Sequence, residues 1–273
     1  MEQAILNEAI DKGATYCDIR IGKSRGTSVE VKDGELKKAS SGEEKGAGIR
    51  LLYNGVWGFF STNELSKKSL RNALLKAFEL AKSGSKIAKE KVQLCDVKAV
   101  KDKVIWKPKK NPIEVDIEEK YKILVDMDRA IHNIDGVHTV TNTYSDGIVD
   151  THFLSSEGSD IQMQITRTLT QVNLVAREGA KVLGYRGRIG GTYGFEVFDM
   201  YDAVEKGVRL GESAVRVLRA KHSPSGRLPV VADHDLAGVF VHEALGHATE
   251  GDIVISGDSI LEGQIGKKIA SEN

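Results

Sequence analysis

Three side chains that are near neighbours in the sequence are of the types that bind a metal and activate water: His242, Glu243 and His247, in the run His-Glu-Ala-Leu-Gly-His. Neutral imidazole nitrogens bind Zn²⁺, and a carboxylate beside a ligand can take a proton from water whose pKa the metal has lowered to about 7. The spacing limits this chemistry. An α-helix turns about 100° per residue, so histidines four apart lie roughly 40° apart on one face. Five apart, as here, they diverge by about 140° and cannot close on one tetrahedral ion from a regular helix. A single π-helical turn restores convergence, because its hydrogen bonds span five residues. Gly246 is the expected place for that distortion. The other outcome of this spacing is two helical histidines that are hydrogen-bonded and hold no metal.

These residues need a helix to present them. Asp233 is a suitable N-cap, and Leu236, Val239, Phe240 and Val241 supply an apolar helical body that ends in the histidine run. Beyond the run, Glu250 and Asp252 are candidates to accept the second N–H of a ligand histidine, or equally form a polar helix exit. His234, two turns earlier, is expected to be exposed, and His132, His138 and His152 to be structural. The stretch Gly184–Gly194 with Arg186 and Arg188 has the glycines of a phosphate cradle. It lacks the Lys-Ser/Thr pair of a P-loop and opens no apolar helix, so turn chemistry or a mobile loop is the simpler expectation.

The rest of the chain predicts an α+β fold in two regions. Residues 1–100 form an amino-terminal helix-and-sheet domain: a helix over 2–12, alternating runs at 18–21 and 29–32, and a hairpin around Asn54-Gly55, where both turn positions favour positive φ. A second helix starts at Ser66, with Leu65 and Leu70 as a hydrophobic staple. Residues 101–112, with five lysines, two prolines and Trp106, are expected to be a linker. Residues 113–273 are expected to form a strand-rich middle region ending in the metal-motif helix. There Asp116 and Glu119 resemble a capping box, and Ile117, Tyr121, Leu124, Val125 and Ile131 face inward. Between 137 and 195, Ile161, Met163, Ile165 and Leu169 alternate with polar residues, and a phase slip near Gln171 predicts a β-bulge. Val204, Val208, Val215 and Leu218 mark another helix, and Leu228–Ala232 a short strand.

Composition narrows the function classes. The chain has 273 residues, 40% hydrophobic and 29% charged, with Lys plus Arg equal to Asp plus Glu at 39 each. That balance gives no electrostatic case for nucleic acid or an anionic membrane. No apolar run approaches the roughly 20 residues that span a bilayer, and residues 1–12 are not a signal peptide. Two cysteines, Cys17 and Cys95, are too few for a disulfide framework and are expected to be small core residues, so a cytoplasmic location is expected.

The run His242–His247 with Glu250-Gly251-Asp252 resembles the HExxxH signature of the TldD/PmbA (TldE) family of metallopeptidases. Ala14–Arg20 resembles that family's first strand, Gly46–Phe59 its glycine-rich hairpin, and Ser155-Ser156-Glu157-Gly158 its mid-chain turn. The motif places the chain with the TldD-like catalytic branch. The resemblance implies a zinc-dependent peptidase of unfolded or flexible peptides, with His242 and His247 as zinc ligands and Glu243 as general base. It implies a TldE/PmbA-like partner subunit, or else a homodimer, with no direct nucleic-acid or membrane partner. Family members are longer, and their third ligand is a cysteine in a carboxy-terminal domain. The chain stops at Ala270-Ser271-Glu272-Asn273, which resembles a continuing strand, so it is expected to lack that domain and to be inactive alone. Peptide is expected to pair along a sheet edge. Two alternatives are a non-catalytic peptide-binding or scaffold subunit and a modulator of DNA gyrase.

Overall fold

The computed structural model describes residues 1–271. It is α+β and divides into two compact units, Met1–Ala220 and a second from Lys221 onward. The first unit is built on a seven-stranded sheet: β1 (Tyr16–Lys32), β2 (Glu35–Tyr53), β3 (Val56–Thr62), β4 (Lys101–Ile105), β5 (Val137–Ser155), β6 (Asp160–Glu178) and β7 (Lys181–Gly191). The order is β3-β2-β1-β5-β6-β4, with β7 also paired to β6. All pairings are antiparallel except β4 with β6. Five helices accompany the sheet: α1 (Glu2–Asp11), α2 (Lys67–Gly84), α3 (Ile117–His132), α4 (Val197–Met200) and α5 (Ala203–Leu218). Among the described residues no helix is long and apolar enough to cross a membrane.

Local sequence accounts for the ends of these elements. Asn54 and Gly55 take φ of 49° and 78°, the left-handed pair that the hairpin between β2 and β3 requires. The Ser66 hydroxyl accepts from the Ser69 N–H at 3.2 Å and caps α2. Asp116 occupies the N-cap of α3 without a side-chain cap bond, and the Glu119 carboxylate expected to complete a box instead accepts from Lys110 Nζ at 2.8 Å. At Gly58, β3 and α2 approach so closely that a Cβ would lie 1.9 Å from the Ala77 carbonyl oxygen.

The strands are longer than the sequence suggests. The alternating runs at 18–21 and 29–32 are the two ends of β1, and the polar stretch Gly22–Gly26 between them is carried by ladders to β2 and β5. Residues 101–112 are not a simple linker. Their first five form β4, parallel to β6 from Lys101↔Asp160 to Ile105↔Gln164. The expected β-bulge near Gln171 is absent, since β6 keeps one register against both β5 and β7 there. Thr166, Thr168 and Thr170 are buried in phase with Val172, Leu174 and Ala176, whereas Met163 and Leu169 are exposed. Hydrophobicity thus pointed to the wrong face of this strand.

Two apolar cores form. Cys17, Ile19, Ile49, Leu51 and Leu154 pack with Ile5, Leu6, Leu70, Leu74 and Ala77 of α1 and α2. Val29, Val31, Val140, Tyr144, Val172 and Leu174 pack with Leu124, Met127, Ile131, Ala214 and Val215 of α3 and α5. At the edge of the second core lies a charged pair, Lys120 Nζ and Asp146 Oδ2, 2.7 Å apart with side chains 1% and 0% exposed. The Asp146 carboxylate also accepts from the Tyr144 hydroxyl at 2.6 Å and from the Thr27 N–H at 2.9 Å, and Lys120 donates to Thr27 Oγ1. Burial, and then Asp146, pushes the Tyr144 hydroxyl pKa up, so it stays a donor. Lys120 shares the stripe of Leu124, Met127 and Ile131 on α3.

Cys17 is buried, and burial pushes its thiol up to about 12. Cys95, expected in a core, is exposed instead, in a segment without helix or strand.

Two predictions follow from these environments. Asp146→Ala should destabilise the first unit by about 3–5 kcal/mol, because it leaves a buried ammonium unpaired; urea unfolding followed by far-UV circular dichroism measures this. Loss of less than about 1 kcal/mol would mean that the pair is not buried in solution. In the native protein at pH 8, a thiol reagent should label one cysteine, Cys95, with Cys17 reacting only after denaturation.

Candidate metal centre

The second unit starts with an irregular stretch. Residues 228–232, expected as a strand, pair with nothing among the described residues, and Val230 and Val231 are 77% and 98% exposed. The reason is the lack of a ladder partner, since β-structure needs a neighbour that helix does not. Helix α6 (His234–Val241) follows, capped by Asp233, whose carboxylate accepts from the Leu236 N–H at 2.9 Å. His234 is exposed at the first turn, 3.7 Å from Asp235.

At His242 the helix changes. Residues His242–Gly246 form a π-helical turn, in which the His247 N–H donates to the His242 carbonyl five residues back. This is the wide turn that the five-residue spacing demands. Gly246 lies inside it at φ −54°, and a Cβ there would meet nothing nearer than 3.6 Å, so the distortion does not depend on glycine's conformational freedom. A 3₁₀ turn, His247–Thr249, tightens the exit, and Thr249 Oγ1 donates to the Gly246 carbonyl at 2.8 Å. Ser259, which sequence reasoning passed over, donates from Oγ to the Ala248 carbonyl and accepts from the Leu261 N–H at 3.0 Å. Nothing in its sequence context marks that role. A short helix, α7 (Gly251–Ile255), completes the description.

The π turn brings the rings of His242 and His247 to 4.5 Å between centroids, at 68° to each other. One donor atom from each of His242, Glu243 and His247 lies within 4.8 Å of the others. Glu243 Oε2 is 3.7 Å from His247 Nε2. On the other side of the ring, His247 Nδ1 is 2.7 Å from Glu250 Oε1. That contact favours a proton on Nδ1, the tautomer in which Nε2 can serve as the ligand nitrogen. Two imidazoles and a carboxylate in this arrangement fit a divalent transition metal by chemistry. Asp252 has no hydrogen bond or ion pair to either histidine, since it lies in the first turn of α7. Residues 221–273 contain no cysteine.

The other candidates are accounted for without a metal. His132 lies between Asp128, at 3.0 Å, and Asp33, at 3.3 Å, and His152 is 2.7 Å from Asp160. His138 is exposed at the register shift of β5. Most of the glycine-rich stretch with Arg186 and Arg188 is strand β7, not a phosphate loop. The apolar body expected of the motif helix is there, but Leu236, Val239, Phe240, Val241 and Leu245 are all exposed.

Comparison with known proteins matches three family models in sequence order. Residues 17–81 match PmbA/TldA metallopeptidase domain 1, residues 110–221 the central domain, and residues 225–273 the C-terminal domain. The histidine motif therefore lies within residues that match the C-terminal domain model, which the sequence had suggested was missing. A metalloprotease of Methanothermobacter thermautotrophicus is 42% identical over 96% of this chain and 56% of its own length. One from Methanocaldococcus jannaschii is 36% identical over 94% of this chain and 56% of its own. The chain thus spans about half the length of the relatives it matches. A solved structure from Bacteroides thetaiotaomicron, named as a candidate modulator of DNA gyrase, superposes with a TM-score of 0.77 at 21% identity, covering 99% of this chain and 61% of that one. TldE from Thermococcus kodakarensis superposes at 0.69 with 20% identity, over 99% and 60%. Both share the fold.

The geometry separates Glu250 from Asp252. In a competitive titration with Zn²⁺, Glu250→Ala should weaken binding by about 10–100-fold, whereas Asp252→Ala should leave it within about twofold. Equal effects would show that the His247–Glu250 contact does not orient a ligand.

Proposed function

The chain belongs to the PmbA/TldA metallopeptidase family, and from that membership we propose that it carries the metal-binding and proton-transfer residues of a zinc-dependent peptidase. The observation that supports this most is the π turn, which turns an unfavourable histidine spacing into one cluster of three donors. We assign His242 and His247 as zinc ligands and Glu243 as the general base. Zinc bound there would acidify water and polarise the scissile carbonyl.

The chain's own residues then do three things. His242 and His247 present neutral nitrogens, with Glu250 fixing the tautomer of His247. Glu243, exposed and next to the first histidine, takes a proton from the attacking water. It then delivers that proton to the leaving nitrogen, so the amine departs neutral. The substrate in this proposal is an unfolded or flexible peptide, and the partner a TldE/PmbA-like subunit. Two histidine ligands leave room for a further protein ligand, and residues 221–273 contain no cysteine to supply it.

A protein of the relatives' full length bearing these residues provides the test. Glu243→Gln should lower peptide turnover by at least about 10²-fold while bound zinc, measured by elemental analysis, stays near the unsubstituted level. Turnover that survives the substitution would reject Glu243 as base; a full-length protein with no turnover even before the substitution would favour a scaffold subunit.

A further inference from the structure

Strand β2 has two unlike halves. Residues 47–52 pair with β1 on one side and β3 on the other, whereas residues 35–46, apart from Lys37, pair with β1 alone. On the outer edge of that half, alternate residues turn their N–H and C=O groups away from β1. Among the described residues no strand meets them, and every residue from Glu35 to Lys45 is exposed. The edge is not a loose flap. Beneath it, β1 is locked to β5 from Asp18 to Lys32. The hairpin tip is fixed too: Asp33 accepts the Val140 N–H at 2.8 Å through its carboxylate and donates its own N–H to the Val140 carbonyl at 3.0 Å. Such an edge meets a partner strand without first having to order itself.

From Lys38 to Glu44 its charges are arranged in blocks, Lys38, then Ala39-Ser40-Ser41-Gly42, then Glu43 and Glu44, with Lys37 before and Lys45 after. A strand with this pattern complements itself when reversed. We propose that this edge joins two copies of the chain through an antiparallel, two-fold β-pairing centred on Ser41, with Lys38 of each copy opposite Glu44 of the other. Hydrogen bonding restricts the register. Outward-facing backbone groups recur at every second residue, so they meet only if paired residue numbers sum to an even value, and a centre at Ser41 satisfies this. The side-chain alternation agrees, because Lys38 and Glu44 then share one face. Where β1 and β2 shift register, between Glu30 and Val31, Lys37 is the extra residue, so the two-fold pairing is confined to 38–44, and Lys37 and Lys45 lie outside it. Lysine on an open edge ordinarily discourages pairing; here Lys38 would meet the Glu44 carboxylate of the other copy, so these charges select one partner and one direction.

The proposal is independent of the peptidase reading, and its test needs no activity. Sedimentation equilibrium of the 273-residue chain should show a monomer–dimer equilibrium. Lys38→Glu sets two carboxylates opposite each other twice per dimer, and Glu44→Lys sets two lysines opposite each other; each should weaken association by roughly tenfold or more. Mixing the two variants should restore it, since every pair again has opposite signs. Restored association in the mixture confirms the edge. A chain that is monomeric at about 0.1 mM, a dimer indifferent to both reversals, or a mixture no tighter than its components would overturn it.

Discussion

Strand β1 runs against β5 from Asp18↔Ser155 to Lys32↔Thr141 with no shift of register, and the placement of both cores depends on that continuity. Side chains alternate faces at each residue, so an unbroken ladder keeps Cys17, Ile19, Val29 and Val31 on one side of the sheet. Their partners Leu154 and Tyr144 lie on that same side. Helices α1 and α2 cover one end of this face and α3 and α5 the other. A one-residue slip anywhere along β1 would turn half of these contacts towards water. The opposite face carries the polar and aromatic work: Asp18 with Arg50 at 2.7 Å, Arg50 over Trp57, and Arg20 over Phe153.

Between the two cores the sheet face is not apolar. Thr27, Asp146, Lys120 and the buried threonines of β6 occupy it, and the hydroxyls of Thr166 and Thr170 have no partner among the described residues. Burying a lysine and an aspartate is rarely the most stable choice for a core, yet once both are present each depends on the other. The pair also joins α3 to β5 at one defined position, which apolar contacts, being non-directional, would leave less sharply fixed.

Much of this was legible in the sequence where a local rule governs. The Asn54-Gly55 hairpin, the Ser66 and Asp233 caps and the π turn each follow from a few adjacent residues, and each is present. What failed depends on partners distant in sequence. Gly22–Gly26 has no strand signature of its own and is strand because β5 lies beside it. The threonine face of β6 was misjudged because Ile161, Met163 and Ile165 are more hydrophobic than the threonines that the helices cover. Lys120 carried a usable signal, four residues before Leu124 on the buried stripe of α3, but a lysine at such a position has no visible partner until β5 is placed. The candidate metal centre was legible in its donors and spacing; the Glu250 contact was one of two candidates until the 3₁₀ turn after His247 set it at 2.7 Å.

The wide turn at His242–Gly246 also has an energetic side. Local stability there is low: the histidines sit at the end of an eight-residue helix whose apolar side chains are exposed, and the turn replaces the usual ladder with five-residue bonds. An ion held by both rings would close a covalent-like loop across that turn and exclude its unwound forms. Occupancy and helicity are therefore linked functions, each raising the other by the same free energy. With an ion bound, the segment between Asp233 and Glu250 would be coupled to it as a folding equilibrium and would not behave as a rigid cup.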